Sequence, residues 1–446
     1  MIRFTQTALV LLVPLCLACA DVPLKPNIIL IMVDDLGYHD LSSYGHPKIK
    51  TPAIDKLAET GVRLTNFHAG ASVCTPSRMA LLTGAYPVRL GWEKGVVGYL
   101  MNKGEGLSPD ALTIAEVFQH AGYRTAISGK WHLGKEAPFS PMNQGFESAY
   151  YLKMSNNQTD KLWREEVLVE DPFENRLLTE KFTDEAIRYI KEHRSEAFFL
   201  YLPYTAPHFP VEPHPDWEGK SEYGKYGDVV EELDFSVGRI VDSLEESSIR
   251  DNTIVIFCSD NGPQEGQKAL AKPFKGKKWS ALEGGTRVPC VISWPGTVPS
   301  AQQCDALISA MDLLPSLAYA CGIDLEALSM GAPKIDGLNV WGTLLGEDGF
   351  KHPRNELLHW HGRDGLHAIQ LNDWKLFING AHAQVTGHEP SEEKSPPTLF
   401  NLSEDREEQI DLSEKHPRLV NRLSALAERR LKSMQAGMMK LGQANE

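Results

Sequence analysis

The run Asn27–Val33 (NIILIMV) is apolar after its first residue, and two aspartates, Asp34 and Asp35, follow it at once. A strand made of such a run has no face fit for water. It must be covered on both sides, which is the situation of a strand inside a parallel sheet layered by helices. Residues 123–128 (YRTAIS), 197–202 (AFFLYL) and 253–258 (TIVIFC) are further strand candidates. Helical segments lie between them. Residues 113–121 are closed by Gly122, a glycine where a helix C-cap needs one. Residues 184–193 and 228–246 carry apolar side chains at helical spacing. Alternation of this kind predicts an α/β fold, a mainly parallel sheet flanked by helices. The 446 residues set an upper bound of about three domains at ~150 residues each.

The texture changes near residue 350. Residues 357–361, 368–371, 374–378 and 398–402 read as short strands, and 383–397, polar and proline-containing, as a loop. Residues 417–439 read as one terminal amphipathic helix, with Pro417 suited to its first position. The expected organisation is a leader over 1–20, a catalytic α/β domain over 21–350, and a smaller C-terminal subdomain of antiparallel sheet plus helix over 351–446.

The leader is read from Arg3, the only charge before a twelve-residue apolar run over 8–19, and from the small-x-small sequence Ala18-Cys19-Ala20 before Asp21. That run is too short to span a bilayer and has the length of a signal-peptide core. Lipidation at Cys19 is the alternative, which Cys16 and Leu17 fit poorly. No later segment is apolar for eighteen residues, so the expectation is an exported (periplasmic or secreted) protein without a transmembrane anchor. Removing the leader leaves five of seven cysteines, Cys74, Cys258, Cys290, Cys304 and Cys321. An odd count leaves at least one thiol unpaired or chemically used. The four besides Cys74 allow several pairings or none.

Lysine and arginine number 45 against 59 acidic residues, a net charge of −14. That balance excludes nucleic acid as an expected partner. It leaves room for a small anion, because a local group of cations can oppose the global sign.

The strand candidates end in unusual polar residues. Asp34-Asp35 follow the first and Ser259-Asp260-Asn261-Gly262 the last. Lys130 and His132 (GKWHLG) follow the second, and His208 (TAPHFP) the third. Parallel strands would bring all of these to one sheet edge, where open α/β sheets bind ligands. Asp34, Asp35 and Asp260 near one point would repel by roughly 4 kcal/mol per pair at ~4 Å and an effective dielectric of ~20. Such a group calls for a cation, and oxygen donors, with the Asn261 amide included, suit calcium or magnesium better than zinc.

In residues 72–84 (SVCTPSRMALLTG), Thr75 reads as an N-cap, Pro76 as the first helical residue and Gly84 as the closing glycine. Cys74 would then sit just outside a helix N-terminus, where an anion is favoured, with Arg78 about one turn inside.

CTPSR followed by a short helix and Thr-Gly resembles the C-x-P-S-R signature of the type I, formylglycine-dependent sulfatases. NIILIMVDDLGYHDLSSYG, GKWHLG, SDNGP, KGKKWSALEGGTRVP and FNLSEDREEQIDL extend the resemblance over nearly the whole mature chain. It implies an alkaline-phosphatase-like fold with a smaller C-terminal subdomain, and a sulfuric ester hydrolase, arylsulfatase-like. Cys74 would be oxidised to formylglycine by a formylglycine-generating enzyme. Calcium would be held by Asp34, Asp35, Asp260, Asn261 and an oxygen of the modified Cys74. Arg78, Lys130 and Lys278 would hold the sulfate and the nucleophile. His132 would assist the aldehyde hydrate, and His208 would face the leaving oxygen. In the implied mechanism one hydroxyl of the hydrate attacks sulfur and the other later ejects sulfate as the aldehyde reforms. Lys278 lies five residues before Glu283, the family's spacing. The family often has Gly-Lys-Gly there, however, and this chain has Lys277-Lys278-Trp279, so Lys277 is the alternative.

Export points to a sulfated carbohydrate as substrate, and His359, Trp360, His361, Arg363 and Trp374 could add polar and stacking contacts to a sugar. Two other classes share the scaffold. A phosphonate or phosphodiester hydrolase would tend to use two metals with several histidine ligands, which the DD and DNG motifs do not supply. A non-catalytic glycan-binding relative would have lost part of the motif set, and none of it is missing.

Overall fold

All seven residues of Asn27–Val33 form a strand and all are buried. The computed structural model describes residues 25–363, 365–378 and 395–444. The leader expected over 1–20, and the expected loop over 383–397 except for its last three residues, lie outside the described residues. Alternate side chains of the central strand enter two different cores. Ile28, Leu30 and Met32 join helices Cys74–Thr83, Ile114–His120 and Leu313–Ala320 on one face. Ile29, Ile31 and Val33 join Pro52–Glu59, Leu178–Glu192 and Lys225–Glu246 on the other. Burying each such isoleucine or valine contributes about 1.5–3 kcal/mol, so a charge at any of these positions would break the layering.

The large sheet has ten strands. Its middle five, Thr253–Ser259, Asn27–Val33, Phe198–Pro203, Arg124–Lys130 and Ser148–Leu152 in spatial order, are all parallel. Cys290–Ser293 joins one side antiparallel, and Val62–Leu64 and Gln302–Cys304 extend it. The hairpin of Leu162–Arg164 and Val167–Glu170 ends the other side. The four strands predicted to carry the polar ends are therefore four neighbours. Arg124–Lys130 runs two residues beyond the predicted 123–128, so Lys130 closes the strand itself. Gly129 makes that possible: a Cβ there would lie 2.0 Å from the Pro203 carbonyl oxygen, at a φ of +140°.

Glu356–His361, Gly365–Leu371, Trp374–Phe377 and Thr398–Asn401 form a separate antiparallel sheet. The helix Pro417–Ala436 ends at Gly437, three residues before the predicted end. The small sheet shares its core with the large one. Leu357, Trp360, Ile369, Leu376 and Leu399, with Leu423 and Ala427 of the terminal helix, belong to the same apolar cluster as Ile28 and Leu30.

Candidate active site

Backbone pairing carries the sheet edge past the ends of its strands. The Asp34 N–H donates to the Ala206 carbonyl (3.0 Å), and the Asp260 N–H donates to the Val33 carbonyl (3.0 Å). Asp34, Asp35, Asp260 and Asn261 are thereby fixed side by side, with no exposure to solvent. Asp35 and His132 both adopt left-handed backbone conformations, φ 67° and 61°. Such conformations are uncommon outside glycine and concentrate where a site demands them.

Three cations meet the three carboxylates, each with a nearest partner, and Arg78 Nη2 also lies 3.7 Å from Asp34. Lys130 Nζ lies 2.6 Å from Asp34, Lys278 Nζ 2.7 Å from Asp35, and Arg78 Nη2 2.8 Å from Asp260. Arg78 also donates through Nε to Asp260 (3.0 Å) and through Nη1 to the Lys130 carbonyl (2.9 Å). Lys130 reaches Ser155 Oγ at 3.1 Å, a partner that no sequence motif announced. Burial alone would raise the Asp34 carboxyl, but Lys130, His208, Arg78 and Lys278 outweigh it and hold it well below the usual range. Burial and the neighbouring Asp34 push Asp260 up to about 7. Against burial, Asp35 holds the Lys278 ammonium above its ordinary value. Lys278, not Lys277, enters the cluster; Lys277 stays half-buried outside it.

Cys74 is the first residue of the helix Cys74–Thr83 and is not outside it, as the sequence suggested; Val73 is the N-cap. Thr75 caps nothing, because its hydroxyl is used elsewhere. It donates to the His132 carbonyl (2.9 Å) and accepts from the Val97 N–H (3.0 Å). Pro76 is the third helical residue, where its missing N–H is still harmless. Gly84 ends the helix in the left-handed conformation expected of it. The Cys74 Sγ lies 3.5 Å from Asp34 Oδ1. Burial and that carboxylate push the thiol up to about 12, so an unmodified Cys74 stays protonated and is a poor nucleophile.

The two histidines hold defined tautomers. His132 Nε2 faces the Val97 carbonyl at 3.0 Å. A carbonyl only accepts, so Nε2 carries the hydrogen and Nδ1 is a bare acceptor. That Nδ1 is buried with no hydrogen-bond partner. Burial, Lys130 and Arg78 hold the His132 ring well below the ordinary histidine range. His208 donates from Nδ1 to the Phe209 carbonyl (2.7 Å), and its Nε2 lies 3.6 Å from Asp35 Oδ2. Burial, then Lys278, lowers it to about 4.

Ligand atoms of Asp34, Asp35, Cys74 and His208 lie within 4.8 Å of one another. His208 was not among the expected ligands. The Asp260 carboxylate turns instead to Arg78, and its Oδ1 accepts from the Asp35 N–H (3.2 Å). Asn261 donates from Nδ2 to Asp35 Oδ1 (2.6 Å), and its Oδ1 has no partner. A cavity of about 410 Å³ opens on Cys74, His132, His208 and Lys278. Its remaining wall includes Tyr99, Asn157, Phe209, Gln264 and Trp279; Phe209 and Trp279 fall within the TAPHFP and KGKKWSALEGGTRVP segments, while Tyr99, Asn157 and Gln264 lie outside every motif.

The C-terminal residues suggested as sugar contacts do not line this cavity. Trp360 is in the shared core, and His359 is buried beside His68. His361 is buried and stacks on His367 (4.4 Å), while Trp374 packs against His416. Only Arg363 approaches it, through a 3.2 Å hydrogen bond to the Tyr99 hydroxyl. The five described cysteines are all free thiols.

Comparison with known proteins gives a consistent result. The model of the family described as Sulfatase matches residues 26–323, and that of the C-terminal region of aryl-sulfatase matches residues 352–446. The chain is 34% identical to arylsulfatase A of Bos taurus, over 87% of this chain and 83% of that protein. It is 32% identical to an N-acetylgalactosamine-6-O-sulfatase of Bacteroides thetaiotaomicron, over 91% of this chain and 93% of that one. A solved structure concerned with metabolism of multiple glycosaminoglycans by Bacteroides thetaiotaomicron superposes with a TM-score of 0.81 at 29% identity. That superposition covers 92% of this chain and 99% of the other.

Proposed function

The chain belongs to the type I sulfatase family and is a sulfuric ester hydrolase, and we propose that it acts outside the cytoplasm on a sulfated carbohydrate, using a formylglycine made from Cys74 and one calcium ion. The observation that carries this reading is the cluster of three buried carboxylates and three cations around a residue 74 that opens on a cavity. The names of the relatives, one an N-acetylgalactosamine-6-O-sulfatase, support the substrate class. The 8–20 leader sequence supports export, and no described helix is long and apolar enough to cross a membrane. The division near residue 350 is retained in the proposal: 21–350 carries the chemistry and 351–446 packs against it.

The residues present fit a hard cation. Their charges sum to zero, since Asp34, Asp35 and Asp260 oppose Lys130, Lys278 and Arg78. A divalent ion would bring the site to +2, a suitable field for a singly charged sulfate ester. The bare Asn261 Oδ1 is the kind of atom such an ion would take up. Asp34 and Asp35 would hold it, with Asn261 and Asp260 beside them. Bound there, the ion would withdraw charge from the sulfate oxygens. The formylglycine would supply an oxygen nucleophile in place of a thiol.

The chain's own groups would then divide the work. Lys130 and Lys278 present ammonium groups to the sulfate, and Arg78 holds Asp260 and the end of the Lys130 strand in place. His132 Nδ1 accepts a proton from the group at residue 74. His208 keeps its hydrogen on Nδ1, so Nε2 must gain a proton before it can give one to the leaving oxygen. The negative charge of a bound sulfate ester favours that gain, and such a transfer contributes about 10²–10⁴-fold. A phosphodiester hydrolase reading has less support, since His208 is the only histidine in the candidate ligand group.

The test is mass spectrometry of the peptide that contains residue 74, with sulfate release measured alongside. Formylglycine should be found there in active protein, and Cys74→Ala should lose at least about 10³-fold in kcat/KM. Chelation should abolish turnover, and calcium should restore it better than zinc. Full activity with an unmodified thiol, or two zinc ions per chain, would overturn the reading.

A further inference from the structure

Trp279 occupies a backbone conformation that a tryptophan should avoid. Its φ is +77°, in the left-handed region, where an L side chain costs roughly 1–2 kcal/mol. The same loop uses glycine at two other left-handed positions, Gly266 and Gly276, both at +86°, and a lysine at a third, Lys268 at +49°. The turn around Trp279 is fixed by its backbone. The Lys278 N–H donates to the Pro263 carbonyl (3.0 Å), the Trp279 N–H to the Ser72 carbonyl (2.8 Å) and the Ser280 N–H to the Lys277 carbonyl (3.0 Å). None of these bonds calls for an indole, so the ring itself must account for the strain.

The surroundings of the ring are built to receive it. It packs with Val73, Val96 and Leu100. Across from it lies Gly362, in the turn between the first two strands of the small sheet. A Cβ at Gly362 would sit 2.4 Å from the indole Cε3 and 2.8 Å from Cζ3, so that position tolerates nothing larger than glycine. The Tyr99 ring meets the indole edge to face at 5.8 Å and 83°. Tyr99 is 41% exposed, and its hydroxyl is tethered by Arg363. Trp279 and Tyr99 both line the cavity that holds Cys74, His208 and Lys278. The side-chain amides of Asn157 and Gln264 line it too, and neither bonds another described residue.

Apolar ring faces beside spare amide donors and acceptors match one ligand chemistry, a pyranose. Its C–H face lies on an aromatic quadrupole, while its hydroxyls need hydrogen bonds. The volume, about 410 Å³, is near the small end of the ~300–1,000 Å³ range of small-molecule sites, room for one ring with its ester. We propose that Trp279, backed by Gly362 and flanked by Tyr99, is the specificity-determining wall for the sugar that bears the sulfate, with Asn157 and Gln264 reading its hydroxyls. This rests on the sulfated-carbohydrate reading above.

Kinetics of Trp279→Leu, Trp279→Phe and Gln264→Ala on a panel of sulfated monosaccharides and on methyl sulfate test it. Methyl sulfate has no ring to stack. Trp279→Leu should lower kcat/KM on the preferred saccharide by about 10–100-fold, mostly through KM. That loss should exceed the loss on methyl sulfate at least tenfold, and Trp279→Phe should recover part of it. Gln264→Ala, at a half-exposed position that does not threaten folding, should shift the preference among positional isomers. Equal losses on saccharide and methyl sulfate would overturn the wall while leaving the carbohydrate reading intact, as would no loss on either. A wild-type enzyme that turns over methyl or aryl sulfates but no saccharide would overturn both.

Discussion

Two of the clusters of buried carboxylates and cations among the described residues differ in what surrounds them. At the sheet edge, three carboxylates and three cations gather round Cys74 and open on a cavity. Beneath the small sheet, Lys375 Nζ lies 2.8 Å from Glu283 and 2.9 Å from Glu408. Arg287 also holds Glu283 (3.1 Å), and the Glu283 N–H donates to Glu408 (2.8 Å). His68 and His359 complete the group, with ring centroids 5.4 Å apart. The donor atoms of His68, Glu283 and His359 gather within 4.8 Å, as those at the active site do. Chemical type alone would therefore nominate both clusters as metal centres. In the second, however, one lysine, Lys375, already occupies the place between the two carboxylates. Its residues also come from both units: His68, Glu283 and Arg287 from the large one, and His359, Lys375 and Glu408 from the C-terminal one. We read the first cluster as a site and the second as a stitch. Burial and charge are common to both; access to the cavity distinguishes them.

The comparison breaks most readily at Lys375. Lys375→Met would leave Glu283 and Glu408 buried with one cation fewer. Removing one partner of a buried pair costs about 3–5 kcal/mol, and denaturant titration should register a loss of that size. A loss under about 1 kcal/mol would show that the stitch does not hold the two units together. Metal analysis of the wild type should find one ion per chain, none of it lost in Lys375→Met.

Acid tests the same cluster from another side. Burial lowers His68 to about 3 and holds His359 well below its ordinary range. The charges facing them are Glu283, which favours protonation, and Lys375, Arg287 and Arg354, which oppose it. Burial pushes Glu408 up to about 7, while Lys375 holds Glu283 low against the effect of burial. Between about pH 6.5 and 4.5, acidification puts two protons on the unfolded histidines and one on the folded Glu408. The unfolded chain gains one more proton than the folded chain, so the cluster loses about 1.4 kcal/mol of stability per pH unit as pH falls. His68→Asn should flatten the measured stability–pH slope by about that amount over this window. An unchanged slope would mean that His68 takes up its proton in the folded protein.

How far each cluster was legible follows from how it is encoded. The candidate active site is contiguous with long apolar runs. Each of its strands announces itself by burial on both faces, and each ends in a short polar motif, so Asp34, Lys130, His208 and Asp260 could be placed before any coordinates. The second cluster draws His68, Glu283, His359, Lys375 and Glu408 from five distant segments, and none of these residues sits in a pattern that marks it as buried. Its place in sequence beside Trp360, His361 and Arg363 suggests a sugar contact for His359, yet the ring is buried beside His68. The outer strands were missed because they are short. Val62–Leu64, Leu162–Arg164 and Gln302–Cys304 have three residues each, too few for a period to show. Thr75 misled because a cap and a tertiary hydrogen bond use the same hydroxyl, and sequence does not say which wins.

The finest distinction between a clustered and a solvated charge lies in adjacent residues. Lys277 and Lys278 share one loop and one chemical type. The left-handed turn that follows sends Lys278 inward to Asp35, and Lys277 makes no ion pair with a described residue. A half-buried lysine without a partner contributes little, since substitutions away from such features usually fall within about 0.5 kcal/mol. Lys277→Ala should therefore change kcat/KM by less than about twofold and leave the denaturation midpoint in place. Lys278→Ala removes the only lysine or arginine paired with Asp35 among the described residues and, in the proposed mechanism, an ammonium facing the sulfate, so it should lose activity by orders of magnitude. If Lys277→Ala were the damaging variant, the loop would have to turn the other way in solution. Trp279, the next residue, would then leave the wall of the cavity as well, and the two measurements would fail together.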